Sequence, residues 1–394
     1  MKICFWGNIA RALEGRTSGG GELQIALLAK SLAKSGHEVV VLDYMISEGY
    51  TTEHGIKVYP VEGWDKGIRM LRTFTHRLPL LYESLRDMKA DVYYCRIRDA
   101  RHWICYKAAR KIGAKFILAL AEDLDVMSFR MRWKYFYLTN IRTSWDVVNG
   151  LLCEYIYPFL VRKADYVFTQ HEGQRQILLK KGIESVLFPN LLDLSQIPVI
   201  SNPEHNYFVF VGWLDNRKGI KELYEIIVRS PDSEFKIIGP PRDKTGRHYY
   251  EMMKSLRNVT LLGELSHNEA LHYIANSKAL INTSPMEGFP NIFIEAWACG
   301  KPVLSLNVDP GSAIVNEDLG VFANGSLDRL IEAMKVDKNS DEFALRAKAF
   351  VEKHHALNSA KMDEIKCLFD VLLKGEEGDN LSLQSEDQSL KNYQ

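Results

Sequence analysis

The order of elements along the chain predicts an α/β protein made of two Rossmann-like, doubly wound units that face each other across a cleft. Three observations lead there. Short β-rich runs alternate with helical ones in both halves, the pattern of parallel βαβ units. At 394 residues the chain exceeds one ordinary core. The stretch "FPNLLDLSQIPVISNPEHN", with three prolines, three asparagines and no helical period, separates the halves as a linker.

Taken in order, the first half offers strands at Lys2 to Trp6, Glu38 to Leu42, Ile56 to Tyr59, Asp91 to Tyr94, Lys115 to Leu120 and Asp165 to Thr169. The second half offers Tyr207 to Val211, Glu234 to Ile238, Val259 to Leu262, Ala279 to Asn282 and Pro302 to Ser305. The hinge is expected near 190–205, between an N-terminal unit over 1–193 and a C-terminal unit over 205–355. A long helical pattern runs from Asp341 to Lys374, and its part over 356–374 is expected to return to the first unit. The remainder, 375–394, is polar and poor in apolar residues, the composition of a disordered tail.

Composition narrows the function. Lysine plus arginine equals aspartate plus glutamate at 50 each, so no global field draws the chain to nucleic acid. The six cysteines are scattered without a Cys-x-x-Cys pair, which reads as reduced thiols and not as a disulfide frame or zinc site. The start "MKICFWGN" turns polar too soon for a signal peptide, and no apolar run reaches a membrane span of roughly 18 residues. A cytoplasmic protein is expected, with peripheral attachment to the inner membrane face open to it.

The densest chemistry lies in "SPMEGFPNIFIEAWACGKPVLS", residues 284–305. "ALINTS" reads as a strand, "PMEG" as the turn leaving it, and Pro290 suits the first helical position, where a missing N–H costs nothing. The helix should run through Ala298 and stop at Gly300. A helix start presents free N–H groups and partial positive charge, so Gly288, Phe289 and Asn291 frame a phosphate site. Glu287 stands beside that end, and Glu295 lies about 7.5 Å further along the helix axis. Two carboxylates so spaced suit hydroxyls on either side of a diphosphate, a transferred hexose and a ribose. As isolated residues they would read as a capping acid and a solvated helix acid.

Glu287 to Glu295 within "EGFPNIFIEAWACGKPV" resembles the E-x7-E signature of retaining glycosyltransferases of the GT-B fold, family 4. The resemblance extends to "RTSGGGELQIALLAKSLAKSGHEVVVL" and "FVFVGWLDNRKGIKELYEII". In the first, Gly19, Gly20 and Gly21 precede a helix and can approach a diphosphate or acceptor closely. In the second, Arg217 and Lys218 follow a strand end and can offset charge on a leaving diphosphate. The resemblance implies a nucleotide-sugar donor held mainly by the C-terminal unit, an acceptor largely on the N-terminal one, and retention by front-face attack assisted by the leaving phosphate. It favours a UDP-sugar over a GDP-sugar, a hexose or N-acetylhexosamine as the moved group, a glycan or lipid-linked acceptor, and no metal or other cofactor.

Two departures stand out. Relatives carry arginine after the "VG" of the second stretch, where this chain has Trp213, and Arg217 is expected to compensate. Relatives also place a histidine after the strand matching Lys115 to Leu120, where this chain reads "ALAEDLDVM", leaving Glu122 or Asp123 to orient the acceptor hydroxyl or take its proton. Asp123 and Asp125 also spell a D-x-D, a weak metal signal. Neither a P-loop nor a dinucleotide G-x-G-x-x-G is present, which removes kinase and dehydrogenase readings. Residues 129–142 and 66–81 mix basic and aromatic side chains, with Arg130, Arg132, Lys134 and Arg142 in the first, and suit an anionic bilayer as well as inward-packed helices. An epimerase on the same scaffold and a non-catalytic nucleotide-sugar binder are the alternative functions.

Overall fold

A computed structural model describes residues 1–16, 19–68, 71–134, 144–200 and 206–374. The expectations for 375–394 and for 135–142 lie outside these residues. The first sheet comprises β1 (Lys2–Trp6), β2 (Glu38–Asp43), β3 (Tyr50–Thr51), β4 (Lys57–Pro60), β5 (Val92–Arg96), β6 (Lys115–Ala119), β7 (Tyr166–Thr169) and β8 (Val186–Leu187). The second comprises β9 (Tyr207–Val211), β10 (Glu234–Ile238), β11 (Val259–Gly263), β12 (Ala279–Asn282), β13 (Val303–Ser305) and β14 (Gly320–Phe322). Their orders are β3-β4-β2-β1-β5-β6-β7-β8 and β11-β10-β9-β12-β13-β14, parallel throughout except between β3 and β4. All strands expected from the sequence are present with ends within two residues. The added ones, β3, β8 and β14, are edge strands of two or three residues, too short to carry a hydrophobic period.

Parallel strands covered on both faces must be apolar throughout, and their alternate residues feed different cores. In β1, Ile3 and Phe5 enter one cluster with the helix Gly20–Lys34, while Cys4 and Trp6 enter the other with Leu81, Leu85 and Cys105. In β9, Tyr207 and Val209 pack toward Phe293 and Trp297, and Phe208 and Phe210 toward Leu223 and Ile227. Each sheet thus has helices on both faces, the arrangement that leaves its strand ends free for ligands.

The helical pattern expected from Asp341 to Lys374 is two helices, Asp341–His354 and Ser359–Lys374. The break is where the chain crosses back to the first sheet. There the backbone N–H of Leu192 donates to the His355 carbonyl and that of Leu357 donates to the Leu192 carbonyl, both at 2.8 Å. The His355 ring donates from Nδ1 to the Asn190 carbonyl at 2.8 Å. The N–H groups of His355 and Ala356 still close the first helix onto the Val351 carbonyl, while the His355 carbonyl and the Leu357 N–H turn outward to Leu192. Beyond them Ile365, Leu368, Phe369 and Leu372 join the core under β1, whereas Phe343, Ala347 and Val351 stay with the second sheet.

Candidate active site between the two sheets

In the second sheet β9 and β12 are neighbours, although the chain runs outward through β10 and β11 before returning to β12. That reversal is a topological switch point, where loops diverge and open a crevice at the carboxyl ends of the strands. The two turns leaving β9 and β12 carry the charged residues. Asp215 caps a 3-10 turn, Asn216–Lys218, through the Lys218 N–H at 3.1 Å. Gly219 ends it at φ +66, and a Cβ there would lie 2.0 Å from the Thr283 carbonyl oxygen. Only glycine meets both demands. The Thr283 hydroxyl donates to the Lys218 carbonyl at 2.7 Å, fixing one turn on the other. Lys218 is thereby delivered to Glu287, and the two form an ion pair.

Arg217, one residue earlier, reaches across to the first sheet and pairs with Glu122 at 2.8 Å. Burial works against its charge, but Glu122, Glu287 and Asp215 outweigh it and hold the guanidinium above its ordinary value. Trp213 is 41% exposed, with the Arg242 guanidinium 5.3 Å from its ring centroid. The cation beside the departure from the family pattern therefore comes from the turn after β10, and Arg217 faces Glu122.

The helix after β12 is Asn291–Ala298, with Pro290 just outside it at φ −64 and ψ 126, one position later than the sequence suggests. Gly300 closes it at φ +71. Glu295 is buried on this helix and accepts from His267 Nε2 at 3.0 Å. His267 opens the helix after β11, and its hydrogen bond to Glu295 raises its pKa against the effect of burial.

Gly288 faces protein: a Cβ there would lie 2.1 Å from the Gln170 side-chain amide and 2.8 Å from the Ala121 carbonyl oxygen. Its lack of a side chain lets the turn press on the ends of β6 and β7. Phe289 is buried, its ring 4.8 Å from that of His355. Asn291 donates to the Gly20 carbonyl at 3.0 Å and accepts from Gln24 at 3.2 Å and Asn190 at 2.8 Å. Asn190 also donates to the Phe289 carbonyl at 2.7 Å and accepts from Arg96 at 2.7 Å. Gly19, Gly20 and Gly21 are thus brought to the same place as the E-x7-E segment, Gly19 as the N-cap of Gly20–Lys34 and Gly21 tight against Ile97.

On the first sheet, Asp123 accepts from Gln174 at 2.9 Å and lies 2.8 Å from His171 Nε2. Asp125 accepts from the N–H groups of Ala121 at 2.9 Å and Glu122 at 3.2 Å, and burial pushes its carboxyl up to about 6. The D-x-D is therefore folded into a turn with each acid engaged. Among the described residues no group of three or more His, Cys, Asp or Glu is gathered to hold a metal ion.

Sequence reasoning does not reach Arg96, Asn190, His171 and His267. Arg96 has a signal, a charge ending the apolar run "VYYC", whereas Asn190 falls in the stretch that reads as linker. One expectation about the basic and aromatic stretches is corrected. Arg132 is buried and bonds Glu154 at 2.7 Å, so it is an internal ion-pair partner and not a surface cation. Ile68, Leu71, Phe74 and Phe129 are each more than half exposed. No helix among the described residues is long and apolar enough to cross a membrane.

Two facing α/β sheets, with an E-x7-E segment and a Lys–Glu pair at the switch point of one, define a glycosyltransferase of the GT-B fold. Residues 196–350, the segment that carries the second sheet, match the family "Glycosyl transferases group 1". It is 24% identical over 340 residues to a phosphatidylinositol N-acetylglucosaminyltransferase polypeptide of Arabidopsis thaliana, covering 80% of this chain and 70% of that protein. The human protein of the same name is 26% identical over 336 residues, covering 80% of this chain and 65% of its own length. Among solved structures, sucrose-phosphate synthase of Thermosynechococcus elongatus superposes with a TM-score of 0.76 at 14% identity, covering 95% of this chain and all (100%) of its own.

Proposed function

We propose that the protein is a retaining transferase that moves a hexose or N-acetylhexosamine from a UDP-sugar to a glycan or lipid-linked acceptor. The observation that carries this reading is the Lys218–Glu287 pair at the β9/β12 switch point, on the same segment as the buried Glu295. Lys218 and Arg217 offset charge on the departing diphosphate, Glu287 holds the hexose and Glu295 the ribose. Asn291 and the glycines Gly19, Gly20 and Gly21 close the donor side, and Asp123, oriented by His171 and Gln174, receives the acceptor hydroxyl. For Arg217 to turn to phosphate it must leave Glu122, so donor binding exchanges an ion pair within the protein for one with substrate.

The base assignment is supported by the UDP named in solved structures of this fold, such as HepE of Anabaena, which has a TM-score of 0.65 at 14% identity. The lipid-linked acceptor is supported by the phosphatidylinositol in the names of the plant and human relatives. We place the domain division at 1–193 and 205–355, with 356–374 on the first domain, and the protein in the cytoplasm on an anionic membrane face. Exposed Ile68, Phe74 and Phe129, with the exposed cations Lys66 and Arg130, would make that contact.

Incubation with a panel of UDP- and GDP-sugars tests the reading through slow release of free nucleotide. Release of UDP with retained configuration at the freed sugar supports it. A stereoisomeric nucleotide-sugar would identify an epimerase, and UDP-GlcNAc 2-epimerase of Methanocaldococcus jannaschii has a similar fold at a TM-score of 0.52. Binding without turnover would identify a non-catalytic protein.

A further inference from the structure

Glu295 is a buried carboxylate whose side-chain partner, His267, comes from a different βα unit. The helix His267–Asn276 begins soon after β11, and its first residue reaches over to the helix Asn291–Ala298 to meet Glu295 Oε1 at 3.0 Å. The His267 side chain is 33% exposed and that of Glu295 only 6%, so the pair joins a buried carboxylate to a solvent-reached imidazole. A carboxylate has two oxygens and roughly four lone-pair sites. With Oε1 held by His267, the geometry leaves Oε2 for a ligand.

We infer that His267 positions Glu295 for the ribose diol of the donor, so that the pair acts as one unit that distinguishes ribonucleotides from 2′-deoxyribonucleotides. This rests on the donor reading above and extends it to a residue outside the E-x7-E segment. Without His267, Glu295 would rotate or find other partners, and each ribose hydroxyl would meet a less ordered acceptor. A site built to bond a hydroxyl rejects a ligand lacking it because its own polar group is left unpaired.

The charge state of the pair adds a second readout. Glu295 is the charged group that acts on His267. Glu269 on its own helix is tied to Ser266 in a capping box, and Glu264 precedes the helix on the exposed side. From the Asn291–Ala298 helix Cys299 follows Glu295 by one turn, its thiol pushed up to about 12 by burial and by Glu295, hence neutral. From β9 the Tyr207 hydroxyl is engaged with the Tyr273 carbonyl at 2.8 Å. Protonated His267 makes the pair net neutral, and its loss of a proton leaves Glu295 as a net negative charge beside an anionic ligand. Affinity for a nucleoside diphosphate should therefore fall as pH rises through the elevated pKa of His267.

Calorimetry with UDP and 2′-deoxy-UDP at pH 6 and pH 8.5 tests this on the full chain, alongside His267→Ala and His267→Gln, each checked for an unchanged melting profile. In the parent protein UDP should bind at least about tenfold more tightly than 2′-deoxy-UDP, the scale of one charged hydrogen bond. His267→Ala should bring the two ligands close to equal, and His267→Gln, which keeps a donor without a titrating charge, should restore much of the preference. His267→Gln should also show a smaller affinity difference between the two pH values than the parent, the titration of UDP itself being common to both. A folded His267→Ala protein with the full preference, or a parent that binds UDP and 2′-deoxy-UDP alike, overturns the inference while the donor reading stands. A parent that binds no nucleoside diphosphate at either pH overturns both.

Discussion

The carboxyl ends of the two sheets are built in opposite ways. In the second sheet the charged side chains come from the turns and helices that follow β9, β11 and β12, and they meet each other: Lys218 with Glu287, His267 with Glu295. In the first sheet the acids after β6 are held from elsewhere, Glu122 by Arg217 of the other sheet, Asp123 by His171 and Gln174 after β7. The difference teaches how function is divided. On the proposed reading, a donor of fixed chemistry is met mainly by residues after neighbouring strands of one sheet, while an acceptor side held by residues from elsewhere can vary without disturbing it.

The largest effects should come from breaking the donor side. Glu287→Ala and Lys218→Ala should each lower kcat/KM by roughly 10²- to 10³-fold, the range for removing one group that stabilises developing charge. For Lys218→Ala the fall should be mainly in kcat, because the charge develops in the transition state. Arg217→Lys keeps a cation but loses the fork that can hold two oxygens, so an intermediate rate is expected. If Arg217→Ala is fully active while Lys218→Ala is dead, Lys218 carries the phosphate alone.

Next in size is the backbone that aims Lys218. Gly219→Ala places a Cβ at positive φ and 2.0 Å from the Thr283 carbonyl oxygen, so the turn must move. A loss of about 1–3 kcal/mol in denaturant unfolding is expected, accompanied by weakened turnover. An unchanged midpoint would mean that the turn relaxes freely and does not set the position of Lys218.

The crossing between the sheets should reveal itself through pH. Burial holds His355 down to about 3, against about 6.5 in an unfolded chain. Between those values the unfolded chain binds a proton that the folded one refuses, so this residue's contribution to stability falls as pH falls. From pH 6.5 to 5 the loss amounts to about 1.6 kcal/mol. His355→Gln keeps a donor for the Asn190 carbonyl without that proton, and its stability should decline by correspondingly less over the same range. Parallel declines in both proteins would remove His355 as the source.

What is legible in the sequence follows the same contrast. The E-x7-E segment can be read because its strand, turn and helix are contiguous, and Pro290 and Gly300 punctuate it within two residues of the observed ends. Asn190 cannot, since its partners Arg96, Phe289 and Asn291 lie far away in sequence. His267 presents the same difficulty: nothing near "SHNEA" announces a carboxylate 28 residues later. The break at 355–358 is hidden because the partners that draw it out of the helix, Asn190 and Leu192, lie far away in sequence. Arg132 resembles its exposed neighbours until Glu154 is placed beside it.

The smallest effect expected is at the membrane. Lys66→Glu with Arg130→Glu should reduce pelleting with anionic vesicles severalfold and leave donor hydrolysis unchanged, as surface attraction is screened over about 8 Å at physiological salt. Pelleting equal to the parent's would assign the exposed apolar residues to another contact.

The division of labour between the sheets is tested most directly by UDP binding measured calorimetrically in Glu295→Ala and Asp123→Ala. Glu295→Ala should weaken UDP by about 1.5–3 kcal/mol, the cost of a charged hydrogen bond. Asp123→Ala should bind UDP as the parent does and fail only in transfer to an acceptor. Equal loss of UDP affinity in both variants would contradict that division.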